Sequence, residues 1–354
     1  MTNVLDLGNG VKLGGKNPCV LLMDAGVNHG NNLKKAKELI KTAKESNADA
    51  IKFQTYTADE ISTKKAPRYW DPKINVDNGE TQYDLFKIVG GFPEENYYEL
   101  KDYADELGIA FSSSPFGMES AKFLQEKLDI DFFKIASAEL GSHEMLKYLA
   151  ATGKPLILST GTASIGEIEE AIQVIKKEDN DKIALQHCML SYPCADKDAN
   201  LAKMIKLKEI FPDIPVGYSD HTYGIAVPLA AIALGATSIE KHYCIANKIG
   251  ENPDETFSIT PEKLKEFAAM RDSIHKSIGT YVNGYYKIEE QAYHYARKSI
   301  VAVKDIKKGE TITRDMISYK RPGTGIPPKF LDIVIGRKAR IDIKYDDIIQ
   351  WEMI

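Results

Sequence analysis

From Cys19 onward, short apolar runs alternate with longer stretches whose apolar positions recur at helical spacing. Continuous or alternate hydrophobicity over a few residues marks a strand, whereas a period near 3.6 marks the buried stripe of a helix. Residues 19–25, 48–54, 109–113, 132–136, 155–159, 182–188, 214–218 and 236–239 therefore read as strands. The intervening pattern predicts helices over 94–107, 118–127, 145–152, 164–176, 201–210 and 261–278, with Ser164 and Glu167 forming a capping box. A first helix, capped by Asn31, carries Leu33, Ala36, Leu39, Ile40 and Ala43 on one face. The segment 227–234 is apolar all round and reads as a buried helix. Strand and helix in regular alternation predict an α/β fold, a parallel (β/α)8 TIM barrel.

Three stretches depart from that rhythm. Residues 1–18 have four glycines and weak periodicity, consistent with a small hairpin or an irregular lead-in. Residues 55–92 carry Pro67, Pro72, Trp70, Tyr83 and Phe86, and an excursion of that length inside a compact domain is either functional or disordered. Its aromatic content argues against disorder. Leaving the carboxyl end of the second strand, it is placed either to cover a substrate at the barrel mouth or to pack on the outside, and the pattern alone does not choose. After Gly279 the runs become short and β-rich, which divides the chain into a barrel over 1–280, an aromatic, acidic linker over 281–296 and a small β-rich domain over 297–354.

A doubly wound sheet would also alternate, but nearly every predicted strand here ends on polar side chains. Asp24, Lys52, Gln54, Ser114, Lys134, Ser137, Ser159, Tyr192, Ser219, His221, Glu240 and His242 all fall at carboxyl ends of strands or just beyond them, where barrel enzymes place their chemistry. His221 and His242 close neighbouring strands. Their spacing fits two imidazoles sharing one divalent ion, and equally two separate hydrogen-bonded histidines. Two protein nitrogens would leave coordination positions open for water and a substrate oxygen, as in a catalytic site. Lys52 and Lys134, converging with the hydroxyls of Ser137, Ser159 and Ser219, would bind a small dianion such as a phosphate ester or carboxylate. With a metal able to polarise a carbonyl, that set suits carbon–carbon bond formation between a phosphorylated enol and an aldehyde. Asp24 would hold the acceptor or move a proton.

Composition narrows the classes. A formal charge of -5 argues against nonspecific nucleic-acid binding, and 43% hydrophobic residues suit a soluble globular protein. Neither a signal peptide nor a membrane-spanning run appears, so a cytoplasmic protein without a membrane partner is expected. The four cysteines, Cys19, Cys188, Cys194 and Cys244, are sparse and form no CxxC pair, which predicts reduced core thiols. Nucleophile elbow, glycine-rich phosphate loop and dinucleotide fingerprint are all missing, so hydrolase and nucleotide-dependent chemistry are not indicated.

Several ordered motifs resemble those of the N-acetylneuraminate (sialic acid) synthase family. They are Asp24-Ala25-Gly26-Val27-Asn28-His29-Gly30, Ile51-Lys52-Phe53-Gln54, Ser113-Ser114-Pro115-Phe116, Lys134-Ile135-Ala136-Ser137, Leu158-Ser159-Thr160-Gly161, Ser219-Asp220-His221-Thr222 and Glu240-Lys241-His242. Lys320-Arg321-Pro322-Gly323-Thr324-Gly325 resembles the family's antifreeze-like (SAF) domain. The resemblance implies a condensation of phosphoenolpyruvate with N-acetylmannosamine or a related N-acetylated sugar, giving a nonulosonic acid and phosphate. It implies that His221 and His242 hold Mn2+, with Mg2+ and Co2+ as alternatives. Lys52, Lys134, Ser137, Ser159 and Ser219 would then hold phosphoenolpyruvate, Ser114 would be a further substrate-binding residue, and Asp24, Gln54, Tyr192 and Asp254 would contact sugar or water. Arg321 would reach into the barrel of a second copy in a domain-swapped homodimer. Asp24 stands where the family's usual residue is glutamate, and Leu190 where it is polar. Both departures keep other acceptors open, a diacetamido-6-deoxyhexose leading to legionaminic or pseudaminic acid among them. Two further alternatives are a phosphorylated-sugar 2-keto acid synthase and a non-catalytic sugar- or ice-binding protein.

Overall fold

A computed structural model describes residues 2–90, 92–245 and 252–354. The chain separates into two compact units, Met1–Ile278 and Gly279–Ile354. In the first, a hairpin of β1 (Val4–Asp6) and β2 (Lys12–Gly14) precedes eight strands: β3 (Val20–Gly26), β4 (Ala50–Thr55), β5 (Ala110–Pro115), β6 (Phe133–Ile135), β7 (Leu156–Ser159), β8 (Ile183–Cys188), β9 (Val216–Asp220) and β10 (Ser238–His242). Their order in the sheet is β5-β4-β3-β10-β9-β8-β7-β6, every pairing parallel. The two ends of that order, β5 and β6, stand side by side, and the Ser112 hydroxyl donates to the Phe132 carbonyl at 2.8 Å across the seam. This is a closed TIM barrel.

Alternation along each strand sorts the residues into two environments. Leu21, Met23, Ile51, Phe53, Phe111, Leu156, Leu158 and Ile239 point outward into the core between sheet and helices. Leu22, Ala50, Ala110, Phe132, Ile157 and Ala184 point inward at the amino-terminal end, where Leu5, Leu7 and Leu13 of the hairpin join them in a separate apolar cluster. The glycine-rich start of the chain is thus a plug. One step further along each strand, the inward positions become polar. Gly217 marks how tight the interior is, since a Cβ there would collide with the Ser238 hydroxyl.

The first helix, Leu33–Glu45, is capped by Asn32, whose side chain accepts from the Lys35 N–H at 3.0 Å, and not by Asn31. A cap residue needs extended backbone. Asn31 instead has φ 54 and sends its side-chain amide to the carbonyls of Ile88 and Gly90, at 3.2 and 2.9 Å. Those carbonyls belong to the excursion after β4, which contains helices Ala58–Ile61 and Gln82–Val89. Tyr56, Leu85 and Val89, with Trp70 and Phe86 packed against them, form an apolar cluster with Val27 at the carboxyl-terminal end of the barrel. The predicted helix over 118–127 is α-helical over Met118–Lys122 and widens to a π-helix over Phe123–Lys127.

The second unit is built on an antiparallel pair, β11 (Ser299–Ala302) and β12 (Ile317–Lys320), around Ile300, Ile306, Ile312, Ile326, Ile343 and Ile349. Part of the predicted linker is helical, over Lys287–Glu289 and Glu290–Tyr295. Among the described residues, no helix is long and apolar enough to cross a membrane.

Leu7 is fully buried in the plug. Leu7→Ala is expected to lower the unfolding free energy by about 2–4 kcal/mol, the usual cost of a cavity at a dry site, as read from urea denaturation.

Candidate active site

The inward polar positions converge at the carboxyl ends of the strands. Lys52, on β4, lies with Nζ 2.7 Å from Asp24 Oδ2 on β3 and 3.4 Å from Glu240 Oε1 on β10. It also donates to the Ser114 hydroxyl at 3.4 Å. Across the barrel, Lys134 donates from Nζ to the Ser159 hydroxyl at 2.7 Å and to the Ile135 carbonyl at 3.0 Å. Its Nζ is 3.4 Å from Glu240 Oε2, so Glu240 stands between the two ammonium groups. Ser137 is held beside them, its hydroxyl accepting from the Gly161 N–H at 2.9 Å.

Burial and charge act against each other at these groups. Burial alone would depress the Lys52 pKa, but the carboxylates of Asp24 and Glu240 outweigh it and hold the value above that of an ordinary lysine. At Lys134 burial prevails, and Glu240 only partly offsets it, so the pKa falls below the usual value. An anion bound beside it would favour the charged form. Glu240 Oε2 is buried and makes no hydrogen bond, which leaves it a weakly committed counter-ion.

The two histidines arrive from adjacent strands, with ring centres 5.4 Å apart. Nδ1 of His221 lies 2.8 Å from the Met189 carbonyl, an acceptor only, so that nitrogen carries a hydrogen and Nε2 is the one that faces a ligand. His242 has Nδ1 3.2 Å from Asp254 Oδ2 and Nε2 3.6 Å from Asp24 Oδ2. Burial disfavours a charged His242, but Asp254 and Asp24 together overcome it and raise its pKa. Burial likewise raises Asp254, yet the imidazoles of His242 and His221 leave its pKa lowered overall. An ion bonded at ~2.1 Å to one nitrogen of each of two rings sets the ring centres roughly 5 Å apart. The observed pair meets that requirement. Among the described residues, no group of three or more His, Cys, Asp or Glu gathers into a ready cage, so the imidazoles form an open pair.

These groups share one cavity of about 270 Å³. Asp24, Lys52, Gln54, Lys134, Ser137, Ser159, Tyr192, Ser219, His221, His242 and Asp254 all line it, and Ser114 lies behind Lys52. The Tyr192 ring packs 4.2 Å from that of His221. Ile61, Tyr69, Trp70, Ile74, Leu85, Phe86 and Val89 form the facing wall, so the excursion after β4 covers the mouth. Leu190 also lines the cavity and adds to its apolar side. Arg321 belongs to the second unit, where it is exposed directly after β12. All four cysteines are buried, and Cys188 alone of them lines the cavity among the described residues.

Glu240 has a larger part in the site than its place in the sequence suggests. Its signal is present there, because it precedes His242 by two on one strand and so shares its face. Lys241 and Asp220, charged and adjacent to the two histidines, point the other way. Lys241 Nζ is 2.7 Å from Asp220 Oδ2, with both side chains fully buried outside the cavity.

Fold and mouth together define a barrel enzyme that would gather an anion beside a pair of imidazoles, under an apolar cover. Comparison with known proteins gives the family. The chain belongs to the NeuB family, whose model matches residues 39–283, and its second unit carries a SAF domain over 297–354. It is 39% identical to the N,N'-diacetyllegionaminic acid synthase of Campylobacter jejuni subsp. jejuni serotype O:2, over 94% of this chain and 98% of that protein. With the pseudaminic acid synthase of the same organism it shares 34%, over 93% of this chain and 95% of that one. A crystal structure of the N-acetylneuraminic acid (sialic acid) synthetase from Leptospira borgpetersenii serovar Hardjo-bovis, in complex with citrate, superposes with a TM-score of 0.72 at 33% identity, covering 82% of this chain and 95% of that one. These relatives are synthases, and the chain is an enzyme.

The Lys52–Asp24 pair, with side chains 4% and 2% exposed, supplies a test of the buried network. Lys52→Met alone is expected to cost about 3 kcal/mol of stability by stranding Asp24, and adding Asp24→Asn to recover part of that loss. A double-mutant cycle in urea reads the coupling.

Proposed function

We propose that the chain is a cytoplasmic nonulosonic acid synthase that condenses phosphoenolpyruvate with an unphosphorylated N-acetylated hexose and water, releasing phosphate. The observation that carries this reading is the Lys52–Glu240–Lys134 bridge, standing beside two imidazoles whose ring centres are 5.4 Å apart. Lys52, Lys134 and the hydroxyls of Ser114, Ser137, Ser159 and Ser219 form the anion side. Phosphoenolpyruvate bound there takes over from Asp24 and Glu240 as counter-charge to the lysines. Gln54, Tyr192 and Asp254 face the acceptor.

His221 and His242 fit a divalent ion, Mn2+ foremost with Mg2+ and Co2+ as alternatives. Imidazole nitrogens suit such ions, and the Met189 carbonyl fixes the His221 ring as an outer partner of a ligand should. When bound, the ion supplies Lewis-acid polarisation of the acceptor's aldehyde. Carbon 3 of the enol bonds to the aldehyde carbon, water adds at carbon 2, and the carbon–oxygen bond to phosphate breaks. Asp24, between Lys52 and His242, is placed to take the proton of that water. Holding both reactants in one covered chamber removes much of the entropic barrier.

Two observations bear on the acceptor. Lys52 and Lys134 are the lysine or arginine side chains lining the cavity among the described residues, and one anionic reactant occupies both. Among the described residues of one copy, no further lysine or arginine lines the cavity to receive a second phosphate, which supports an unphosphorylated sugar, with Arg321 of a second copy facing its N-acetyl group. The wall of Ile61, Trp70, Ile74, Leu85, Phe86 and Val89 suits methyl groups better than hydroxyls. With 39% identity to a legionaminic acid synthase against 33% to a sialic acid synthetase, this favours a diacetamido-6-deoxyhexose over N-acetylmannosamine. The exposed Arg321 would complete the acceptor site of a second copy in a domain-swapped homodimer.

Incubation with phosphoenolpyruvate, Mn2+ and a panel of N-acetylated hexoses is expected to release inorganic phosphate, with chelation by EDTA abolishing it and added Mn2+ restoring it. Silence with every N-acetylated acceptor would overturn the reading. Trp70→Ala is expected to raise the acceptor KM about tenfold while leaving the phosphoenolpyruvate KM within about twofold, since its removed ring contact is worth roughly 1–2 kcal/mol.

A further inference from the structure

Directly behind the two histidines, on the outer face of the same strands, lies an ion pair that the chemistry leaves unused. β9 and β10 run parallel with Lys241 opposite Asp220 and Glu240 opposite Ser219. Side chains alternate between faces, so the register that sets Lys241 beside Asp220 outside the barrel turns Ser219, His221, Glu240 and His242 inward. Lys241 Nζ donates to Asp220 Oδ2 and to the Thr222 carbonyl, both at 2.7 Å. Asp220 Oδ1 in turn accepts from the Thr222 N–H at 3.0 Å and from its hydroxyl at 2.8 Å. Lys241 therefore clasps the residues on either side of His221. The His221 carbonyl is held as well, accepting from the Cys194 N–H at 2.9 Å.

We infer that Lys241 and Asp220 are positioning residues, forming a buried strut that ties the strand of His242 to the turn of His221 and fixes the separation of the two imidazoles for one divalent ion. The inference rests on the metal reading proposed above. Both side chains are 0% exposed, so two charges have been taken wholly out of water. Such a pair commonly returns no more than its desolvation costs, and apolar residues of similar volume often serve stability as well or better. What an apolar pair cannot supply is direction. Four hydrogen bonds of fixed geometry leave the turn at Asp220 and Thr222 little freedom, and His221 lies between them. Loss of a group that orients a ligating ring directly typically costs tenfold to a hundredfold in metal affinity, and the strut sets the same orientation through the backbone on either side of His221.

The test is the double variant Lys241→Met, Asp220→Asn in the full-length protein. It removes both charges, while the asparagine keeps an acceptor for Thr222. Isothermal titration with Mn2+ alone is the readout, alongside thermal melting. The strut predicts a folded variant whose Mn2+ affinity falls at least about tenfold. It also predicts that phosphate release, assayed over a Mn2+ series, shifts to higher metal concentration and recovers to within a few fold of wild type at saturation. Arg271→Met is the control, because it breaks a pair with Asp49 that lies away from the mouth. It should lower the melting temperature without moving Mn2+ affinity. A folded double variant with unchanged Mn2+ affinity overturns the strut and leaves the metal reading standing. Wild-type protein that binds no Mn2+ overturns both. Should the double variant not fold, Asp220→Asn alone, which conserves volume, is titrated in its place: a loss of Mn2+ affinity supports the strut and an unchanged affinity overturns it.

Discussion

Two ammonium groups enclosed in a barrel, 3% and 2% exposed at Lys52 and Lys134, must be neutralised from within. An isolated buried charge costs so much that the side chain would give up its proton or the fold would open. Glu240 resolves this by reaching both lysines, while Asp24 binds the first. The compensation is uneven. Lys52 is over-compensated, its pKa held above the ordinary value, whereas at Lys134 burial outweighs Glu240 and lowers the pKa, so a further anion there would favour its charged form. Donors fixed in this way cost no reorganisation when a negatively charged reactant arrives, which is the economical arrangement for electrostatic catalysis.

That arrangement depends on both ends of the barrel being closed. At the amino-terminal end, Leu5, Leu7 and Leu13 fill the space between strands that would otherwise admit water beneath the lysines. At the opposite end, the segment after β4 brings Trp70 and Phe86 over the imidazoles and the serine hydroxyls. Excluding solvent lowers the local dielectric and strengthens each interaction among the groups inside. Plug and cover are both apolar, and both come from stretches lying outside the regular alternation of strand and helix.

A single register links these features. Pairing β9 with β10 as observed gives the interior Ser219, Glu240 and the two histidines, and gives the exterior Lys241 and Asp220. Sliding either strand by one residue would exchange the two sets, placing the imidazoles among apolar side chains and the strut in the cavity. The inner chemistry and the outer ion pair are therefore two faces of one choice.

Much of this is legible in the sequence. Hydrophobic period locates the strands and the α/β architecture, because burial between sheet and helices imposes that pattern whatever the partners are, and the polar strand ends favour closure. The polar residues ending the strands name the site, since inward positions near a barrel mouth are where polar groups can meet. Asn31 reads as the cap because composition identifies a capping residue type but not its backbone angles; only the left-handed turn there passes the role to Asn32. The position of residues 55–92 is open in the sequence for the same kind of reason: an apolar excursion can cover either face, and the choice depends on contacts with Val27, distant in the chain. Glu240 is visible as a charge beside a histidine, but its bridge between lysines on two other strands exists only once the sheet closes. The chain by itself determined which residues face inward, because period is a local property; which of them meet was decided by tertiary structure, because distance across a barrel is not.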